Sequence, residues 1–159
     1  VTPEERALGA LNAAGIPFEL TRHGPVRSLE EAAAARGLEP HQVIKTIVVR
    51  RSDDDYLFVL VPGGRAISWP KLRALLGVSR LSMPDKDVAL EVTGYERGTI
   101  TPFGSTRAWP VVADEQVVEA STVSIGAGAP GVAATVDAAD LVRALGARVA
   151  DVTTPEGEG

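Results

Sequence analysis

Residues Val43-Ile44-Lys45-Thr46-Ile47-Val48-Val49-Arg50-Arg51 decide the fold. Six of the nine are β-branched, and branching at Cβ favours a pleated strand over a helix. Ser52 to Asp55 follows as a polar turn, and Tyr56 to Val61 is a second apolar run. Two such runs around a short polar turn predict an antiparallel hairpin.

Upstream of the hairpin, Thr2, Pro3, Glu4 and Glu5 predict the start of a helix, with a capping hydroxyl, a proline in the first turn and acids at the positive dipole end. Leu8, Leu11 and Asn12 continue it at helical spacing until Gly15, and Ile16 to Leu20 predicts a short strand. Ser28 and Glu31 form a capping-box pattern that opens an Ala-rich helix through Arg36, ended by Gly37. Pro40 to Gln42 predicts a further short turn or helix.

Downstream, Pro62, Gly63 and Gly64 break the hairpin. Ser68 is placed to cap a helix from Trp69 to Leu76, stopped by Gly77. Leu81 to Met83 predicts a short strand, and Pro84 to Val92 a helix ended by Gly94. Further strands are expected at Pro110 to Ala113, Thr122 to Ile125 and Val132 to Val136. Asp137 then caps a helix from Ala138 to Leu145, and Val149 to Val152 adds a last strand. Residues 1–153 are expected to form a single domain, with 154–159 a disordered tail of Gly and Glu.

Helices and strands do not alternate strictly, which argues against a doubly wound parallel sheet. The expected class is α/β (α+β): a mixed, barrel-like β-sheet with helices packed around it. Aromatic residues are scarce, 2 Trp, 2 Tyr and 3 Phe, so the core must rest on Ala, Val, Leu and Ile. The absence of Cys excludes disulfides, zinc–thiolate sites and thiol nucleophiles. No run approaches the roughly 20 apolar residues of a membrane span, and the first residues read as a helix start and not a signal peptide. The cytoplasm is therefore the expected location. The net charge of −5 argues against a strong, autonomous nucleic-acid binder. It is unevenly spread: His41 to Arg80 holds seven basic residues against three acids, a local +4 that leaves −9 elsewhere. That segment could receive phosphates weakly and in a salt-sensitive way.

Two features could carry chemistry. Lys45 is one of only three lysines among 16 basic residues, and it shares a strand face with Val43, Ile47 and Val49. An ammonium among aliphatics either reaches solvent, where it also deters edge pairing, or lines a polar pocket. The second feature is Gly98-Thr99-Ile100-Thr101-Pro102-Phe103-Gly104. Its glycines would let backbone N–H groups approach a carbonyl or phosphate, and its proline would stiffen it. It is neither a Walker loop nor a dinucleotide fingerprint. His23 and His41, the only histidines, have no metal spacing, so no metal and no cofactor is expected. No nucleophile elbow is present, which leaves a covalent mechanism without a candidate.

Together the pieces resemble the YbaK/prolyl-tRNA-synthetase-associated domain family of trans-acting aminoacyl-tRNA editing proteins. Four stretches carry the likeness: His23-Gly-Pro-Val with the Ser28 helix, the Lys45 strand, Thr93 through Gly104, and the Gly126 to Gly131 turn with the strand and helix after it. The resemblance implies hydrolysis of the ester joining a wrong amino acid to tRNA, often tRNA for proline. The 3′ end of an aminoacyl-tRNA is then the expected partner, with a synthetase as a second one and no membrane. Lys45 would hold the terminal adenosine phosphate or the aminoacyl group. Gly98, Thr101, Pro102, Phe103 and Gly104 would present the loop to the ester, and Phe18, Leu20, His23, Ile47, Gly126 and Gly128 would line or border the pocket. Three positions depart from the family pattern. Ala133 stands where members acting on Cys-tRNA carry an acid, Gly126 replaces a small polar residue, and Val92 replaces a common serine. These departures weigh against cysteine and leave alanine, serine or another small amino acid open, as well as a changed function within the same fold. A non-catalytic module of the same fold, binding an aminoacyl-adenosine-like ligand or a synthetase, is the alternative.

Overall fold

A computed structural model describes residues 1–157 of the chain. The expected hairpin lies at its centre. Strand β2 (Ile44–Ser52) pairs antiparallel with β3 (Asp55–Pro62), in register from Ile44 opposite Pro62 to Arg50 opposite Tyr56. The turn places Asp54 at φ 55°, a left-handed conformation that Asp tolerates better than most side chains. Every residue of β3 from Tyr56 to Val61 is buried. Tyr56, Phe58 and Leu60 enter one apolar cluster; Leu57, Val59 and Val61 enter another on the opposite face. An apolar run without alternation is the mark of a strand covered on both sides, and the hairpin is the wall between the two halves of the core.

The remaining strands extend this wall. β5 (Val111–Asp114) runs parallel to β3, and β8 (Arg148–Ala150) runs parallel to β5, giving the order β2-β3-β5-β8. A second, antiparallel sheet has the order β1-β7-β6, from β1 (Phe18–Arg22), β6 (Thr122–Gly126) and β7 (Val132–Asp137). The two sheets meet at one parallel bridge between Val43 and Ser124. Among the described residues no pairing returns from β8 to β1, so the mixed sheet does not close into a barrel.

Helices α1 (Pro3–Ala13), α2 (Leu29–Ala35), α3 (Trp69–Leu76) and α6 (Ala138–Leu145) fall where their caps predict, and α4 (Lys86–Thr93) falls within the helix expected from Pro84. Side chains of Thr2, Ser28, Ser68, Asp85 and Asp137 each accept from a backbone N–H of the first turn. Helix α5 (Glu115–Glu119) has no counterpart in the sequence reading; at five residues it is too short to show a periodic apolar face. Its cap, Asp114, is fully buried, and its carboxylate accepts from Gln116 N at 3.1 Å and Val152 N at 3.0 Å.

The expectation of a disordered tail from residue 154 is corrected for its first part. Strand β9 (Thr153–Pro155) pairs antiparallel with β4 (Arg65–Ile67), and Glu156 N donates to Gly64 O at 2.9 Å. The Gly and Glu composition hid the available edge of β4, which pairs the chain end by backbone bonds that composition does not reveal. Residues 158 and 159 of that expectation lie outside the described residues.

The Gly98 loop is held from below by α1. The Arg6 guanidinium stacks on the Tyr95 ring at 4.8 Å and donates to Gly94 O at 2.7 Å and Gly104 O at 3.0 Å. Tyr95 is fully buried, and its hydroxyl donates to Phe103 O at 2.6 Å. Burial pushes the phenol pKa upward, with the Arg6 charge pulling the other way. Tyr95→Phe leaves the Phe103 carbonyl without its donor, which is expected to cost about 1–3 kcal/mol. Urea unfolding measures this, and an unchanged midpoint would contradict the loop's dependence on that bond.

Candidate functional site

The backbone of β2 is satisfied on one side only. Val43 O accepts from Gly63 N at 2.8 Å, so by the alternation of an antiparallel ladder residues 45, 47 and 49 turn their backbone groups to β3. Residues 44, 46, 48 and 50 then turn theirs outward. At one end the Val43–Ser124 bridge covers this outer edge; at the other, Arg50 and Ser82 exchange hydrogen bonds of 2.7 and 3.1 Å. Between the two bridges Thr46 and Val48 face no strand among the described residues. The Thr46 hydroxyl is also buried without a partner.

A cleft of about 350 Å³ opens along this edge. One wall is Val43 with β2 from Ile44 to Val48. Across from it stand Gly98, Ile100 and Gly126, with Met83, Pro84 and Arg97 at the rim. Gly98 adopts φ +90°, and no atom lies within 4 Å of where its Cβ would stand, so its backbone faces open space. A Cβ on Gly126 would lie 3.4 Å from Ile100 O, in ordinary contact with the loop.

The lining is aliphatic with three cations, Arg36, Lys45 and Arg97, and among the described residues no Asp or Glu lines it. Lys45 Nζ donates to Glu156 Oε1 at 3.1 Å, with both side chains about half exposed. The strand lysine thus lies at the cleft with its head in solvent, and a carboxylate from the chain end pairs with it. Among the described residues no group of three His, Cys, Asp or Glu could hold a metal. No helix among them is long and apolar enough to cross a membrane.

Of the residues singled out in the sequence, the cleft gathers Lys45, Ile47, Gly98 and Gly126. The rest lie outside its lining. Phe103 belongs to the core, and Thr101 is buried with its hydroxyl accepting from Phe103 N at 3.3 Å. Gly104, beside Pro102 and Phe103, packs on α1: a Cβ there would stand 2.5 Å from Arg6 O. Gly128 borders a separate depression beside Pro3. Phe18 packs on the core from β1, and Leu20 on the same strand is partly exposed. His23 reaches the cleft only through Arg36, to which it is hydrogen-bonded. The sequence reading missed Arg36, Thr46 and Arg97. Arg36 had no visible signal, because its neighbours Ser124 and His23 are far away in the chain. In the basic segment, Arg50, Arg51, Arg73 and Arg80 line a shallow groove. Lys71 is paired with Asp151 at 3.0 Å, and Arg65 is bonded to Thr153.

Comparison with known proteins gives three findings. Residues 23–144 match the family model described as the aminoacyl-tRNA editing domain. A proline–tRNA ligase of Heliobacterium modesticaldum is 33% identical over 116 residues, covering 73% of this chain and 20% of that protein. A protein of Enterococcus faecalis, named as a proposed Cys-tRNA(Pro)/Cys-tRNA(Cys) deacylase, is 24% identical over 129 residues, covering 81% of this chain and 79% of that one. The chain spans about a fifth of the length of the ligases it matches. Among solved structures, a proposed trans-editing enzyme for prolyl-tRNA synthetase superposes with a TM-score of 0.86 at 26% identity, covering 97% of this chain and 99% of that one.

Two expectations follow from the geometry. Glu156→Gln removes the partner of Lys45, and because the pair is exposed the loss of stability should stay below about 1 kcal/mol. A larger drop in denaturant midpoint would mean that β9 depends on that pair. Gly104→Val should lower the thermal midpoint strongly, through collision with α1, whereas Gly98→Val meets only the strain of its φ, about 1–2 kcal/mol. Equal losses in the two variants would contradict their different surroundings.

Proposed function

The chain belongs to the aminoacyl-tRNA editing domain family, and on that premise we propose that it is an aminoacyl-tRNA deacylase. It hydrolyses the ester between a small, misattached amino acid and the terminal ribose of a tRNA, with tRNA for proline the first candidate. The observation that carries this reading is the cleft beside β2, with cations, an unpaired strand edge and a glycine-lined loop around one small volume.

An aminoacyl ester is already activated, so the chemistry asks little of the protein. Lys45 would hold the terminal phosphate or the aminoacyl group. Backbone N–H groups on the open edge at Thr46 and Val48, or on the Gly98 loop, would stabilise the oxyanion that forms when water attacks the carbonyl; one such donor contributes about 2.7–4 kcal/mol. The outward carbonyls of the same edge suit the amino group, which the lining cations would otherwise repel. No enzyme nucleophile is required. Bordering aliphatics such as Ile44, Ile47 and Ile100 limit the size of the amino acid. Because a pocket separates single methylenes by only about 1–3 kcal/mol, a hydrolytic second sieve after the synthetase is useful.

Ala133, fully buried opposite Gly126 in the β6–β7 ladder, puts no carboxylate beside the turn. Alanine or serine is therefore a better substrate candidate than cysteine. The likeness to proline–tRNA ligases supports a synthetase as partner, and the groove with Arg73 and Arg80, beside the ion-paired Arg50 and Arg51, offers phosphates a weak landing surface. The place of action would be the cytoplasm, where tRNA is charged.

Lys45→Ala is expected to cut hydrolysis of a mischarged tRNA by about 10²-fold or more, on the scale of losing one charged transition-state contact, with the fold intact. Lys45→Arg should also fail, because a planar fork does not replace a compact ammonium. Single-turnover deacylation measures both. An unchanged rate in Lys45→Ala would remove Lys45 from the reaction, and no turnover by the parent protein on any mischarged tRNA would favour a binding module instead.

A further inference from the structure

Arg36 follows the last turn of α2 as its C-cap and sends its guanidinium toward β6. Nε donates to His23 Nε2 at 3.3 Å, and Nη1 donates to Ser124 Oγ at 3.2 Å. The His23 Nδ1 lies 2.8 Å from Gly24 O. A carbonyl there requires a proton on Nδ1, which leaves Nε2 as the acceptor that Arg36 uses. Both partners of the guanidinium are therefore neutral. Among the described residues no carboxylate lies within ion-pair distance of Arg36.

That is an unusual state for a partly buried cation. Burial holds the Arg36 pKa below its ordinary value, yet a guanidinium keeps its proton across the working pH range. A charge withdrawn from water is costly unless an opposite charge meets it. The neighbours make no such offer: among the described residues no acid lines the cleft beside Arg36, Lys45 and Arg97, and Glu156 at its margin is paired with Lys45. The strand register brings two of the cations together. Val43 and Ser124 are bridged, so Ser124, which holds Arg36, stands beside Val43; Lys45 is two residues along β2 on the same face. The unused Nη hydrogens keep the planar fork that binds two oxygens of a phosphate or carboxylate at once.

We propose that Arg36 is an oxyanion-binding residue of this cleft, taking a phosphate or carboxylate of the ligand in its fork, with His23 and Ser124 as the positioning residues that fix the fork. The proposal deepens the deacylase reading and rests on it for the ligand's identity. The aminoacyl end of a tRNA brings both chemistries, a phosphodiester before the last nucleoside and a carboxylate released by hydrolysis. It also gives His23 a task away from the cleft lining.

The test is binding, kept separate from turnover. The full chain and its Arg36→Gln, Arg36→Lys and His23→Ala variants are titrated with 5′-AMP, inorganic phosphate and acetate at constant ionic strength, followed by amide NMR shifts. The parent protein is expected to bind at least one probe with shifts at Ser124 and Lys45. AMP and phosphate together identify a phosphate site; acetate alone identifies a carboxylate site. Arg36→Gln should weaken that binding at least tenfold, Arg36→Lys should recover it only in part, and His23→Ala should weaken it several-fold while the thermal midpoint holds. Equal affinity in Arg36→Gln, or no binding of any probe by the parent protein, would overturn the proposal. Should Arg36→Gln not fold, affinity in Arg36→Lys equal to the parent's would overturn it. Turnover separates the two readings. Loss of anion binding in a protein that hydrolyses no aminoacyl ester sinks the deacylase and leaves the site; hydrolysis with anion affinity untouched by Arg36→Gln does the reverse.

Discussion

Strand β2 is hydrogen-bonded to β3 along its length and, among the described residues, covered on its other edge only at two bridges, at Val43 and Arg50. Much else depends on this partial pairing. A fully paired strand would place a neighbour where the cleft now lies, and a fully free one would be an exposed edge prone to pairing with another chain. The bridges set the length of the opening, and the Gly98 loop and Gly126 cover it from the side. Backbone donors and acceptors in the gap are fixed by the sheet itself. Such preorganisation is what a site needs if it is to stabilise developing charge without reorganising.

The supports of the loop are distant in sequence and tight in space. Arg6 in α1 binds the carbonyls of Gly94 and Gly104 on either side of it. Trp109 donates to Val92 O at 2.8 Å and meets the Tyr56 ring edge-on, tying the end of α4 to the hairpin. Tyr95, Phe103 and Trp109 thus brace the segment that frames the cleft, while Tyr56 and Phe58 join Ala, Val, Leu and Ile in the core around the hairpin. Electrostatics follows the same division. The chain is acidic overall, and acids gather on helix starts such as Glu4 and Glu5 or pair with surface arginines, while among the described residues no acid lines the cleft and only Lys45 of its cations is paired, with Glu156.

Local chemistry made much of this legible. Hydroxyl and carboxylate caps marked the starts of four helices, and the β-branched run with its polar turn marked the hairpin. What stayed hidden depends on contacts between distant segments. The parallel pairing of β5 with β3 leaves no trace in a four-residue strand. The pairing of β9 with β4 is a backbone event at a chain end whose composition suggests disorder. Within Gly98 to Gly104, glycine and proline indicated a special loop but not which residues face outward: Gly98 and Ile100 face the cleft, while Thr101 and Phe103 are inside the protein. Arg36 was invisible because its role depends on His23 and Ser124 converging from two other elements.

The central claim is that the aminoacyl end of the substrate lies between the open edge of β2 and the Gly98 loop. Its most direct test is the map of amide NMR shifts on adding an alanyl-adenosine analogue in which an amide replaces the ester and so resists hydrolysis. The account predicts the largest shifts at Thr46, Val48, Gly98 and Gly126, on both walls of the cleft. Shifts confined to the depression beside Pro3 and Gly128, or none at saturating analogue, would contradict it.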